Sequence, residues 1–346
     1  MKLLLLSIAF FSMELRADER FINNGGVFSI GAEPQMSTEQ LKTIVNNVTT
    51  QLSKVNALKA DCKYCEDVNI NNRPTPKCIE TYSQLYARPT VEMRVVLGYS
   101  DASANPQRIG PHDLLVKEQM VNLLTKDCAV KPSGSFFLCG FARSADDADL
   151  FTKNVKAPNG EVKIVNLVIT NSSVSTDDNQ NQGKLLEQQL IQTERARKTY
   201  LDGLRTADVV LYNGHSRKGG GPDFAPAKRL ENTHIDYAFY QKDKPGLTDL
   251  VEALKERIAS GKDTGPSLIG FFSCGSEEHF SKSVAAASPN SGFIGTLNPP
   301  SWADSHRGVL TVLNAMLGKI CNKSLVSSLD QNMDIRNNYI IERFWK

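Results

Sequence analysis

An excess of charge of either sign is missing from this sequence. Forty Lys and Arg stand against 38 Asp and Glu, a net of +2, and no Lys/Arg block breaks the balance. Nucleic-acid readers usually carry a basic excess or patch, so no nucleic-acid partner is expected. Also missing is any apolar run of bilayer-spanning length; Leu3–Met13 falls well short of the roughly 20 residues required. Neither an internal repeat nor a low-complexity tract is present. The pair Cys62-x-x-Cys65 lacks the βαβ context of a redox motif and a neighbouring fourth ligand for zinc. Structural bridging is its reading, and no metal or organic cofactor is implied. What remains, 40% hydrophobic and 23% charged residues, is the mixture of a globular chain.

The N-terminus has the form of a secretory signal: Lys2, the short apolar run, then Ala17 before a polar stretch. Residues 1–17 are the expected signal peptide. No Cys stands directly after the run, so no stable membrane anchor is expected after cleavage. The expected location is periplasmic or secreted. Seven cysteines are an odd number. In an exported chain that suggests pairs plus one free thiol. The economical arrangement leaves Cys274 free and bridges the other six, for which 15 connectivities exist. Cys128 with Cys139 is the favoured pair, because the Pro- and Gly-containing stretch between them folds back.

Ser37 and Gln40 form a capping-box pattern ahead of Leu41, Ile44, Val45, Val48, Leu52 and Val55 at helical spacing. With the Cys-containing stretch 61–80, read as a stapled loop, this makes an N-terminal region over 18–87. A soft boundary falls at Ala87-Arg88-Pro89, and 88–346 is the main domain. Strands are predicted at Val91–Gly98, Ser135–Arg143, Val162–Thr170, Asp208–Asn213, Ser267–Ser273 and Gly292–Leu297. Helices are predicted at His112–Thr125, Lys184–Leu204, from Leu247 through Ile258, Ser281–Ala287 and Gly308–Leu317. Such alternation argues an α/β fold, a mostly parallel sheet covered on both faces. Ligands in such sheets bind beyond the carboxyl ends of the strands.

Two predicted strands end in reactive residues. One reads Val-Val-Leu-Tyr-Asn-Gly and then His215; the other reads Leu-Ile-Gly-Phe-Phe-Ser and then Cys274. A thiol attacks as its thiolate, and an imidazole beside it takes the proton. A helix predicted after Cys274 adds a favourable dipole. Backbone amides around Gly214, Ser216 and Gly275 are the candidate donors to an oxyanion.

These residues resemble the caspase-like superfamily of cysteine peptidases, which includes clostripain-like and gingipain-like enzymes and CHAT domains. In that family a strand ends in a His-Gly turn and a later strand ends in the nucleophilic Cys. The resemblance covers about 160–320 and extends to Ser291–Leu297, similar to the family's next strand. It implies a three-layer sandwich and a cysteine endopeptidase acting on a peptide or protein substrate. Ser216 stands where the family usually has Gly. Phe272 stands where members with basic specificity carry Asp. An apolar or shallow pocket is therefore expected, lined by Phe272 and the loop beginning Asn171-Ser172, unless Asp177 or Asp178 supplies a charge. The loop from Ser216 to Gly246 is expected to border the cleft, and its Gly219-Gly220-Gly221-Pro222 stretch to be mobile. His306 is expected in a loop bordering the cleft, and His279, five residues after Cys274, in an exposed charged turn or, alternatively, approaching the thiol from the next helix. The alternatives are an inactive caspase-like binding module and a non-peptidase thiol amidase.

Overall fold

The computed structural model describes residues 76–99, 113–128, 137–175, 178–231, 234–261 and 265–321, with individual positions between 39 and 52 and between 325 and 344. The expected signal segment, Cys62, Cys65, His112 and Asp177 lie outside the described residues. The described positions from Glu39 to Leu52 are helical; of the apolar residues whose spacing predicts that helix, Leu52 is described and buried, and Leu41, Ile44, Val45, Val48 and Val55 lie outside the described residues.

The chain is α/β, built on an eight-stranded sheet. Strands β1 (Thr90–Leu97), β2 (Ala142–Arg143), β3 (Leu150–Lys156), β4 (Val162–Asn171), β5 (Val209–Asn213), β6 (Leu268–Phe272), β7 (Gly292–Thr296) and β8 (Tyr339–Glu342) lie in the order β2-β3-β4-β1-β5-β6-β7-β8. The run from β4 through β7 is parallel. Antiparallel pairs close both sides, β2 and β3 on one and β8 on the other. Every residue of β5, β6 and β7 is buried. This is why these strands read as near-continuous apolar runs: both faces are covered.

Alternation along the strands sends side chains into two cores. Val95, Leu211 and Phe272 join helices α1 (Pro76–Leu85), α2 (Asp113–Thr125) and α8 (Trp302–Gly318) on one face. Val96, Val210, Tyr212 and Phe271 join α4 (Leu186–Thr206), α6 (Pro245–Ala259) and α7 (Ser276–Ala287) on the other. Two short helices, α3 (Asp178–Gln182) and α5 (Tyr237–Asp243), are also present. The result is a three-layer α/β arrangement.

Helix α1, ahead of the boundary drawn at Ala87–Pro89, shares this core. The Tyr82 hydroxyl donates to the Ile320 carbonyl at 2.6 Å and that of Tyr86 to Met316 at 3.0 Å. Cys78 lies in α1, not in a loop, and is bridged to Cys321. The pair Cys128–Cys139 is present as anticipated, and it explains one correction. Of the described residues of the strand predicted at 135–143, only Ala142–Arg143 pair with β3. The amides of Gly140 and Phe141 instead bond to the carbonyls of Lys126 and Leu124, holding the segment against the end of α2 beside the bridge.

Candidate active site

β5 and β6 are neighbours in parallel register, and their last registered pair is Asn213 with Phe272. His215 and Cys274 each stand two residues beyond that pair. Adjacent strands lie about 4.8 Å apart, so the turns that carry the two residues leave the sheet at one rim. Cys274 is the free cysteine among the described residues and is exposed. His215 is partly exposed.

The turn carrying His215 is held by Tyr212. Its hydroxyl accepts from the Asp223 amide at 2.9 Å. Its hydrogen faces the carbonyls of His215 and Asp223 at 3.0 and 3.1 Å. Gly214 is required there, since a methyl group would overlap the Tyr212 ring and come within 3.0 Å of the Gly98 Cα. Ser216 is buried, and its carbonyl accepts from the amides of Gly219 and Gly221, both at 2.9 Å. Arg217 reaches Asp223 at 2.7 Å and lies over the Tyr240 ring.

The Gly-rich stretch is therefore buried, and its glycines serve close approach. A methyl group at Gly220 would meet the Tyr240 Cβ at 2.7 Å, and one at Gly221 the His215 carbonyl at 2.6 Å. This corrects the expectation of a mobile loop at 219–222.

The turn carrying Cys274 is held by two hydroxyls. That of Ser276 donates to the Phe271 carbonyl at 2.9 Å and accepts from the Thr296 amide at 2.8 Å. The Thr296 hydroxyl bonds to the Ser273 carbonyl. Gly275 takes a left-handed φ of 55° at the start of α7, a conformation that glycine accepts without cost. The helix end favours a thiolate. Although the residue is exposed, partial enclosure of its thiol acts the other way and pushes the Cys274 thiol up, with a backbone amide hydrogen bond opposing it.

Several expected site residues lie elsewhere. Phe272 does not line a cleft: it is buried against the Tyr339 ring and α8, in phase with Leu268 on the inner face of β6. Asn171 and Ser172 are also buried. The Asn171 amide group donates to the Ser173 carbonyl at 2.8 Å, and the Ser172 hydroxyl bonds to the Phe224 carbonyl. Asp178 is held by Arg229 at 2.9 Å and by the Tyr99 hydroxyl, so it offers no charge to a basic substrate. His306 lies inside α8, and its Nδ1 is 2.6 Å from the Trp302 carbonyl; burial pushes it down to about 4. His279 is half-buried on α7, not in an exposed turn. Tyr212, Ser276 and Thr296 position the two reactive turns, a role that sequence reading did not assign to them.

Among the described residues, no group of three or more His, Cys, Asp or Glu side chains is placed to hold a metal ion, and no helix is long and apolar enough to cross a membrane. No family model, curated protein or solved structure matches this chain.

Proposed function

We propose that the chain is an exported cysteine endopeptidase of caspase-like fold, with Cys274 as nucleophile and His215 as general base. The observation that carries this is the equal offset of the two residues beyond the Asn213–Phe272 pair, together with a free, exposed thiol. In the reaction His215 takes the thiol proton as the sulfur attacks the scissile carbonyl. The amides around Gly214, Ser216 and Gly275 receive the developing oxyanion. The imidazolium then protonates the leaving amine, and water, deprotonated by the same ring, releases the acid from the thioester. Because burial raises the thiol, the base at His215 supplies the activation. With Phe272, Asn171 and Ser172 buried, the exposed Leu297 beyond β7 supplies a shallow apolar surface for the substrate. The two disulfides among the described residues suit an oxidising compartment and support a periplasmic or secreted location.

A second reading, an inactive scaffold that presents this rim to a partner protein, is favoured by the raised thiol alone. Labelling by a thiol-reactive peptide probe separates the two. The peptidase reading expects strong labelling that both Cys274→Ala and His215→Ala abolish. Undiminished labelling of His215→Ala favours the scaffold.

A further inference from the structure

We propose that His279 is a positioning residue that sets the gap between the His215 loop and the Cys274 turn. The inference rests on the peptidase reading above. The His279 ring lies between two glycine backbones. A methyl group on Gly219, four residues after His215, would stand 3.3 Å from its Nδ1. One on Gly275, next to Cys274, would stand 3.7 Å from its Nε2. The imidazole thus reaches both turns at positions that carry no side chain. Both glycines have positive φ, 89° and 55°, so neither position accepts a side chain without strain.

The ring is anchored on the other side. His279 sits in the first turn of α7, its amide donating to the Gly275 carbonyl at 3.2 Å, and its ring meets Phe280 edge-on. The charged groups that act on it are Glu278 on its own helix and Lys244 at the junction of α5 and α6. Burial is the largest influence and lowers its pKa, disfavouring the charged form. The ring's role in spacing the two turns is steric and needs no charge. Spacing matters because a shift of about 1 Å at a reacting pair costs roughly 100-fold in rate.

The test is iodoacetamide alkylation of Cys274, mapped by mass spectrometry from pH 5 to 10, with thermal unfolding as a check on the fold. Relative to wild type at pH 6.5, His279→Ala is expected to react at least ~10-fold more slowly and to approach the His215→Ala profile. His279→Gln and His279→Phe fill the gap and are expected to stay within about threefold of wild type. These two carry the test if the Ala variant does not fold. A His215-dependent profile unchanged by His279→Ala overturns this proposal alone. So does a fall in either gap-filling variant to the His215→Ala rate, which would show that the imidazole itself reacts. A wild-type profile unchanged by His215→Ala sinks the peptidase reading and this proposal with it.

Discussion

The Tyr212 hydroxyl stands 3.0 Å from the His215 carbonyl oxygen, tying a core residue of β5 to the turn that presents the imidazole. Its neighbour Tyr200, whose ring centroid is 5.7 Å away, makes a natural control. Among the described residues the buried Tyr200 hydroxyl has no hydrogen-bond partner. Tyr212→Phe should cost about 1–2 kcal/mol in unfolding free energy and lower probe labelling of Cys274 about 10-fold or more. Tyr200→Phe should leave labelling unchanged and stability equal or higher. Chemical denaturation and labelling of the two variants side by side check both statements.

Asp113 gives a prediction in pH. Its carboxylate accepts from the amides of Ser172 and Ser173, both at 2.8 Å, and burial raises it from 3.8 to about 6 despite those hydrogen bonds. A carboxyl raised by folding contributes stability below its unfolded value, and that contribution is lost as pH rises through the folded value. Stability should therefore fall between pH 4 and pH 6 by up to ~3 kcal/mol, at 1.36 kcal/mol per unit. Asp113→Asn keeps an oxygen acceptor without the charge. It should match wild type near pH 4 and exceed it at pH 7 and above, as read by urea unfolding at each pH. A constant difference across that range would contradict the assignment.

The two disulfides among the described residues differ in the length of chain they close. Cys78 and Cys321 are 243 residues apart, Cys128 and Cys139 only 11. In the loop-entropy account the long closure contributes about 5 kcal/mol and the short one about 3. Cys78→Ser with Cys321→Ser should lower the thermal midpoint more than Cys128→Ser with Cys139→Ser, with Cys274 alkylation retained in the latter. Equal shifts in scanning calorimetry would count against the account.

Much of the sheet was legible because doubly covered strands leave apolar runs, as in Val209–Leu211 and Leu268–Phe272. The two reactive residues stood out because small residues flank them where those runs stop. Phe272 was misread as pocket lining, though period-two alternation from Leu268 puts it on the inner face. His306 was misread as loop because the helix was started too late. Ser301 caps α8 by accepting from the Asp304 amide at 3.1 Å, and its Ser-x-x-Asp spacing was a usable signal. β3 was missed, since Lys153, Asn154 and Lys156 dilute its alternation and only pairing with β4 makes it a strand. The roles of Tyr212 and Thr296 left no local trace. A tyrosine or threonine in a buried strand reads as core until the fold brings a distant carbonyl to its hydroxyl.

The central claim is that the His215 imidazole activates the Cys274 thiol across the β5–β6 rim. Its most direct measure is the pH at which Cys274 reaches half its maximal alkylation rate, in wild type and in His215→Ala. The account predicts a wild-type midpoint well below the ordinary thiol value of about 8.5, moving to that value or above once the imidazole is removed. One midpoint shared by both proteins, at or above the ordinary value, would contradict it.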